Sequence, residues 1–293
     1  MNNFSVNGDA AGAEFCVFTG ELNSSIGGWQ KGYNNYSSNY KIWMKPADSL
    51  KIILGHNAFE LNQETILYSK TYSKIDDRGY SINFDMNGFS LDVMFAPGWG
   101  TYWLDNENTS LTGFKAQYSA DFGKINGILY TNNSFKDLRF GAGYSNNFGG
   151  VNMFVNAIGF TKESKMDYLR FETFASGGVG AFCWAIFPAV NVNLAGEKAD
   201  VELFLTAKGS YAINGLNVYL IVGQDSRNQY GYNYIADQGT YFGLVESDKF
   251  NMTIAPGISG NVGIANWDVS LKFDIGKDQP ILISVPVIFS VAF

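Results

Sequence analysis

The chain has 293 residues and a formal net charge of −7 at pH 7, and only 16% of its residues are charged. This acidic balance argues against a nucleic-acid-binding protein, which needs clustered Lys and Arg. The mean hydropathy is −0.06, and the longest apolar stretch, residues 182–190, is about half the ~20 residues of a membrane helix. The sequence therefore excludes transmembrane helices.

Apolar and polar residues alternate along nearly the whole chain, which predicts β-strands with one apolar and one polar face. No stretch of the sequence fits a helical spacing of apolar residues better than it fits this alternation. Asn87-Gly88 and Asn214-Gly215 each precede an alternating run, and Asn-Gly is a strong hairpin signal. In chain order, the clearest runs are 80–86, 89–95, 138–144, 169–173, 201–206, 216–222 and 267–275.

Short and long connections follow one another between these runs. Tight connections are predicted at 45–49, 87–88, 121–124, 146–150 and 213–215. Longer ones, rich in Asn, Ser, Tyr and Gly, are predicted at 20–39, 57–79, 97–110 and 224–239. This asymmetry is typical of membrane barrels, which have short periplasmic turns and longer outer loops. We expect about 16 strands (14–18), an even number, because both chain ends should be periplasmic.

The last run, residues 281–293, has a wholly apolar face formed by every second residue. A strand this long needs a broad apolar surface, and at the end of a bacterial chain we expect that surface to be lipid. Pro286 cannot donate a ladder hydrogen bond, so we expect a local bulge there. The apolar face is formed by Ile281, Ile283, Val285, Val287, Phe289, Val291 and Phe293.

Three features favour lipid over water on the apolar face. The polar face often carries Gly, Ser, Asn or Thr instead of the charges of soluble surfaces. Some alternating runs are longer than the ~5–6 residues of ordinary strands. Aromatic residues crowd the predicted strand ends, where amphipathic rings favour the lipid headgroup level. They are Tyr40, Trp43, Tyr80, Trp99, Trp103, Tyr144 and Tyr168.

On these features the whole chain resembles bacterial outer-membrane porin-like barrels. Residues 40–46 and 50–55 form a hairpin similar to one in spirochaete surface barrels. The resemblance implies an all-β, transmembrane antiparallel up-and-down β-barrel in the outer membrane, surrounded by lipid. It also implies that barrel-assembly machinery recognises the C-terminal strand through Phe293, and it allows a homotrimer. We expect a periplasmic lead-in at 1–10, a single barrel at 11–293, and a signal peptide that has been removed.

The function that this architecture predicts is a porin-like channel for passive diffusion of small hydrophilic solutes and ions. Charges on the polar face would line the pore and set a weak selectivity, because acidic and basic residues nearly balance. A surface adhesin or antigen that binds host components through its long loops is the alternative, and a sugar or hydrophobic-ligand transporter is a third. The predicted pore-lining residues are Asp85, Asp92, Lys115, Arg139, Arg170, Glu172, Glu202, Lys208, Asp268, Lys272 and Asp274.

The long connection 57–79 is the predicted constriction or lid. Folded inward it would narrow the channel, and folded outward it would be a surface epitope or ligand-binding loop. The sequence leaves both arrangements open. Its candidate residues are Phe59, Glu60, Tyr68, Lys70, Lys74, Asp76, Asp77 and Arg78.

Catalysis and cofactor binding have little support in the sequence. His56 is the only histidine, and no recognisable catalytic motif surrounds it. Residues 105–108 could offer oxygen ligands to Ca²⁺, but a solvated acidic loop explains them better. Cys16 and Cys183 lie in separate strand-like runs, and we expect two thiols, with a disulfide as the alternative in an oxidising compartment. We expect no enzyme activity, metal, cofactor or nucleic acid.

Overall fold

A computed structural model describes residues 2–17, 38–62, 74–96, 111–132, 135, 137–194, 196, 199–225, 251–276 and 280–291. Nineteen strands cover most of this part of the chain, and the strand pairings within it are antiparallel. The strands are β1 (Asn2–Asn7), β2 (Ala11–Val17), β3 (Ser38–Ala47), β4 (Leu50–Glu60), β5 (Lys74–Met86), β6 (Phe89–Ala96), β7 (Leu111–Ala120), β8 (Gly123–Asn132), β9 (Leu138–Phe148), β10 (Val151–Lys162), β11 (Lys165–Val179), β12 (Phe182–Asn193), β13 (Asp200–Ile213), β14 (Leu216–Asp225), β15 (Asn251–Val262), β16 (Ala265–Ser270), β17 (Lys272–Gly276), β18 (Leu282–Ser284) and β19 (Val287–Val291).

Successive strands from β1 to β16 pair with each other, so the sheet is a continuous up-and-down meander. β16 and β17 are two parts of one pass across the sheet, because both pair with β15. β18 and β19 are likewise one pass, because they pair with β17 and β16 in turn. Within the described residues this makes seventeen passes, inside the predicted range. The expected even number is wrong for this part of the chain, since β1 and the β18–β19 pass run in the same direction.

The first strand corrects the expected lead-in at residues 1–10. β1 pairs with β2 along its whole length, from Asn2 opposite Val17 to Asn7 opposite Gly12. Only residues 8–10 connect the two strands. Phe4, Ser5, Val6 and Asn7 alternate like the other strands, but the run is too short to stand out in the sequence.

Tight turns join the strands at one end of the sheet, which we call the short-turn end. Asn87-Gly88 and Asn214-Gly215 form the predicted two-residue hairpins, with φ between 50° and 80° at all four residues. Such positive φ values match the twist of paired strands, and Asn and Gly tolerate them. The opposite end, the long-connection end, also contains one two-residue turn, Glu163-Ser164 between β10 and β11.

The two faces of the sheet differ as the alternation predicts. Leu203, Leu205, Val218 and Leu220 are exposed on the outer face, and their neighbours in the strands point inward. The sheet curves around this inner face, because Asn62, which follows β4, hydrogen-bonds to Asn156 in β10, six strands further along the meander. The fold is therefore a transmembrane antiparallel up-and-down β-barrel with an apolar exterior. No helix in the described part of the chain has both the length and the apolar character needed to span a bilayer.

Exposed aromatic residues surround the short-turn end of the barrel. Each lies in a short turn or within three residues of one, on the outer surface, where an aromatic girdle would meet the lipid headgroups. This girdle lies mostly at residues that the sequence analysis did not select. Its members are Phe89, Tyr118, Phe122, Phe148, Phe182 and Tyr211.

The aromatic residues selected from the sequence divide between the two faces. Tyr40 and Tyr80 are exposed on the outside, as predicted. Trp43 and Tyr168 correct the prediction, because they point into the barrel: Trp43 is 7% exposed, and Tyr168 stacks on Phe160 with 5.5 Å between ring centroids. Trp99 and Trp103 lie outside the described residues.

Pro286 interrupts the last pass without a bulge. The pairing of β16 with β19 and that of β17 with β18 share one register, so no extra residue enters either strand. The Ser270 N–H still donates to the Pro286 carbonyl at 3.1 Å. The ladder therefore loses only the bond that proline cannot donate, and the predicted bulge is wrong. The exposed odd-numbered residues 281–289 confirm the predicted apolar face, while Phe293 lies outside the described residues.

Candidate functional site in the barrel interior

The start of the long connection after β4 lies inside the barrel. Phe59 and Leu61 are 1% and 3% exposed, and they pack against inward-facing residues of β6, β7, β8 and β10. The Tyr130 hydroxyl donates to the Phe59 carbonyl at 2.9 Å, which fixes the backbone where β4 ends. This interior apolar cluster consists of Phe59, Leu61, Met94, Ala96, Leu111, Ile128, Tyr130 and Ile158.

Asn62 in this connection hydrogen-bonds to Asn126 and Asn156 in the barrel wall, and we call these three asparagines the amide clasp. Asn126 Nδ2 donates to Asn62 Oδ1 at 3.3 Å, and Asn62 Nδ2 donates to Asn156 Oδ1 at 3.1 Å. Asn156 Nδ2 donates in turn to the Asn62 carbonyl at 2.9 Å. Asn126 is the fourth residue of β8 and Asn156 the sixth of β10, so the clasp holds Asn62 near mid-height in the wall.

Gly143 in β9 makes room for the clasp. A Cβ atom on this residue would lie 2.7 Å from Asn62 Nδ2 and 2.5 Å from Asn126 Oδ1. Real Cβ atoms essentially never approach so closely, and the asparagine amides are held by hydrogen bonds on several sides. On the same face, a Cβ on Gly141 would lie 2.8 Å from Leu61 Cδ1. The two glycines therefore allow the connection to contact the wall closely.

A buried ion pair continues the network along the wall. Asn156 Nδ2 also donates to Glu172 Oε2 at 3.1 Å, and Arg170 Nε donates to Glu172 Oε1 at 2.7 Å. Arg170 Nη1 donates to Asn191 Oδ1 at 2.9 Å, and the guanidinium lies 4.6 Å from the centre of the Phe204 ring. Both charged residues are only 2% exposed. Thus two residues predicted to line water instead bond to each other and to the clasp.

The predicted pore-lining residues of β5 to β9 have varied surroundings. Asp92 lies opposite Lys115 in the β6–β7 register and accepts a hydrogen bond from Asn83 Nδ2 at 2.8 Å, and both charges are partly exposed. Asp85 is exposed beside the short turn, whereas Arg139 is 2% exposed. Wall charges available to a solute on this side therefore lie mostly in the short-turn half.

The predicted pore-lining residues of β13 to β17 form two inward-facing groups. The Tyr219 hydroxyl donates to Asp268 Oδ1 at 2.5 Å, and Lys208 Nζ lies 4.9 Å from the centre of the Tyr219 ring. In the second group, Lys272 Nζ lies 3.2 Å from Asp274 Oδ2 and Thr253 Oγ1 donates to Asp274 Oδ1 at 2.6 Å. The Glu202 side chain, predicted as a further pore-lining group, lies outside the described residues.

We expect Tyr219→Phe to lower the free energy of unfolding by about 1.5–3 kcal/mol, because the half-buried Asp268 carboxylate loses a charge-assisted hydrogen bond. Urea titration of the refolded barrel in lipid vesicles, followed by tryptophan fluorescence, measures the change. Tyr211→Phe, on the exposed outer face, is the matched control and should leave the midpoint unchanged. Equal midpoints for both variants would mean that the short Tyr219–Asp268 contact contributes nothing to stability.

A basic group that was not predicted from the sequence lies on the inner face of β3 and β4. Lys45 Nζ and Lys51 Nζ lie 5.6 Å and 4.6 Å from the centre of the Trp43 ring, and a Cβ on Gly12 would lie 2.6 Å from the same ring. Lys41, Trp43 and Lys45 alternate with exposed outer residues. The signal was present in this alternation, but the aromatic residue led us to expect the lipid interface.

The predicted lid residues fall into three groups. Phe59 and Glu60 end β4, and Tyr68 and Lys70 lie outside the described residues. Lys74, Asp76, Asp77 and Arg78 belong to β5, where they pair with β4 from Glu60 opposite Lys74 to His56 opposite Arg78. These four residues therefore lie in a strand and not in the predicted loop. The β4–β5 hairpin continues beyond the residues whose apolar alternation marks it in the sequence.

The other candidate groups from the sequence are mostly not described. The side chain of His56 and residues 105–108 lie outside the described residues, as does the side chain of Cys16, and Cys183 is a free thiol.

Comparison with known proteins finds relatives by fold. No family model matches the chain, and no curated protein matches its sequence. The outer membrane protein OpdK of Pseudomonas aeruginosa matches with a TM-score of 0.60 and 9% identity, over 96% of this chain and 87% of that chain. A BenF-like porin of Pseudomonas fluorescens Pf-5 matches with a TM-score of 0.60 and 11% identity, over 97% and 86%. OccAB4 of Acinetobacter baumannii matches with a TM-score of 0.56 and 8% identity, over 95% and 83%.

These likenesses, at low identity, show that the chain has the barrel fold of outer-membrane porins. The fold predicted from the sequence is confirmed. None of the three proteins comes from a spirochaete, so the resemblance of the 40–55 hairpin to spirochaete barrels stays a prediction.

Proposed function

We propose that this chain, which has the barrel fold of outer-membrane porins, is a bacterial outer-membrane channel for passive diffusion of small hydrophilic solutes and ions. The observation that carries the proposal is the amide clasp, which holds the start of the 61–73 connection against the inner wall near mid-height. In this proposal the described start of the connection, residues 61–62, narrows the lumen where it is held against the wall. Diffusion through such a barrel needs no enzyme activity and no cofactor.

In this proposal the interior has two parts with different roles. The interior apolar cluster, the amide clasp and the buried Arg170–Glu172 pair are packed together and fill part of the cross-section. The remaining wall carries partly exposed charges that solutes meet, including Asp92, Lys115 and Lys208. Size exclusion follows from the packed part, and charge selectivity follows from the exposed part.

The missed lysines change the expected selectivity. Arg170 with Glu172 and Lys272 with Asp274 neutralise each other inside the wall. Lys41, Lys45 and Lys51 add three positive charges to the inner face of β3 and β4, and Glu14 of β2, opposite Lys41, adds one negative charge. We therefore expect a small preference for anions over cations, in place of the near balance predicted from the sequence.

Planar-bilayer recording tests the channel proposal directly. The refolded chain should produce discrete conductance steps of constant size, and a salt gradient should give a reversal potential displaced toward the anion. A folded, heat-modifiable barrel that never conducts would overturn the proposal and favour a surface adhesin.

A second experiment replaces residues 63–73 with a short Gly/Ser linker that leaves Asn62 in place. A channel should keep or gain conductance, whereas an adhesin that uses this loop should lose binding.

The proposal includes two partners besides lipid and solutes. Phe293 and the apolar face of the last pass suit recognition by barrel-assembly machinery, and a homotrimer is an assembly that the porin resemblance allows. Deleting Phe293 should reduce the amount of folded barrel in the outer membrane while leaving refolding in detergent unchanged. Light scattering of the detergent complex, corrected for bound detergent, measures the number of chains.

A further inference from the structure

A cavity with a mixed polar and apolar lining lies at the short-turn end of β14, β15 and β16. Its volume is about 420 Å³, within the range of small-molecule sites, about 300–1,000 Å³. Five of its lining residues carry amide, hydroxyl or carboxylate groups. They are Asn217, Ser259, Asn261, Asn266 and Asp268.

The register of the three strands brings these five side chains together on the inner face. Asn217 lies opposite Ser259, which lies opposite Asp268, and Asn261 lies opposite Asn266. They share their face with Tyr219, which points inward and is buried. In the part of the chain that the structure describes, Asn217, Ser259, Asn261 and Asn266 have no side-chain hydrogen bond, so their donors and acceptors are open to solvent or a solute.

The chemistry of the lining points to one class of solute. Amide and hydroxyl groups both donate and accept hydrogen bonds, and the carboxylate of Asp268 accepts them. Among the described residues that line the cavity there is no Lys or Arg, and Asp268 is the single charged side chain. Lys208, which lies over the Tyr219 ring, balances the Asp268 charge, so the cavity offers no net charge to hold an ion. A neutral solute with several hydroxyl groups can match the donors and acceptors together, and Ile288, opposite Asp268, adds apolar surface.

We infer that this cavity is a binding site for a neutral polyhydroxylated solute such as a small sugar. The inference rests on the proposed channel function and deepens it, because a site at the short-turn end would hold the solute at one mouth of the lumen. Hydrogen bonds from the amides orient the hydroxyl groups, and the Tyr219 hydroxyl fixes the Asp268 carboxylate that accepts from them.

Sucrose block of single-channel current tests the inference. Sucrose added to the wild-type channel should reduce the ion current with a saturable concentration dependence. Polyethylene glycol of similar hydrodynamic size should reduce it without saturation, because it offers few hydrogen-bond donors. Asn261→Ala/Asn266→Ala should weaken the apparent affinity for sucrose about tenfold, as the loss of two hydrogen bonds of ordinary net strength would give.

The matched control is Gln117→Ala/Ser119→Ala, which removes two polar side chains near the short-turn end of β7. The control should keep the wild-type sucrose affinity. Saturable block that is unchanged in the Asn261/Asn266 variant, or block by polyethylene glycol as strong as that by sucrose, would overturn the inference. Block by CaCl2 at constant ionic strength, with none by sucrose, would also overturn it by showing a cation site.

Measuring sucrose binding and conductance separately distinguishes a failure of the channel proposal from a failure of the proposed binding site. Calorimetric titration of the detergent-refolded barrel with sucrose does not require conductance. Binding without conductance would retain the site and remove the channel, whereas conductance without binding or block would retain the channel and remove the site.

Discussion

Replacing Gly143 with alanine should widen the channel. The added Cβ would lie 2.7 Å from Asn62 Nδ2, so the amide clasp must open and Asn62 loses its attachment to the wall. Single-channel conductance should rise, and the largest solute that permeates in liposome-swelling assays should become larger. We also expect a loss of about 4–6 kcal/mol in the free energy of unfolding, since three buried amide hydrogen bonds are worth about 1 kcal/mol each and overpacking adds about 1–3 kcal/mol of strain.

Gly127→Ala is the matched control for this variant. Gly127 lies on the neighbouring strand β8, and a Cβ there would meet only the Gly141 carbonyl oxygen, at an ordinary 3.6 Å. Its conductance and stability should equal those of the wild type. Asn62→Ala removes the clasp without overpacking, so it should raise conductance as Gly143→Ala does, at a smaller cost in stability. Unchanged conductance in both Gly143→Ala and Asn62→Ala would show that the clasped segment does not restrict the pore.

Arg170→Met should be among the most destabilising single substitutions in the barrel wall. It would leave the Glu172 carboxylate, 2% exposed, without its cation. Removing one partner of a buried ion pair costs about 3–5 kcal/mol, because the other charge stays desolvated and uncompensated. Urea unfolding in lipid vesicles, followed by tryptophan fluorescence, measures this loss.

The double variant Arg170→Met/Glu172→Met distinguishes a lost pair from lost packing. It removes both charges and keeps side chains of similar length, so it should recover most of the stability. Lys115→Met serves as a control, since Lys115 is partly exposed opposite Asp92 and such pairs are worth at most about 1 kcal/mol. If the double variant is as unstable as Arg170→Met, the two charges are not coupled and the burial argument fails.

Much of the fold could be predicted because it depends on local patterns. Alternation places successive side chains on opposite faces of a strand, so the outer positions of β13, β14 and the last pass were predictable. Asn87-Gly88 and Asn214-Gly215 specify tight hairpins through their backbone preferences. β1 was missed because its alternating run is short. Residues 74–78 were assigned to a loop because their charges hide a strand that continues the β4–β5 hairpin.

The sequence shows which charged residues face the barrel interior, but it does not show which groups they contact there. Arg170 and Glu172 were correctly placed on the polar face of a strand, yet alternation cannot tell whether an inward charge contacts water or another charge. Trp43 was placed at the lipid interface because amphipathic aromatic rings favour the headgroup level. Gly143 carried no signal at all, since its importance depends on three asparagines from other parts of the chain.

The sequence by itself determined the strand character, the apolar exterior and the tight turns, because each depends on neighbours within a few residues. The tertiary structure alone decided that the 61–73 connection starts inside the barrel, that its asparagine joins Asn156 across 94 positions of the chain, and that a pair of wall charges is buried. Those contacts depend on how the curved sheet brings distant strands around a common interior, and no periodicity along the chain encodes that closure.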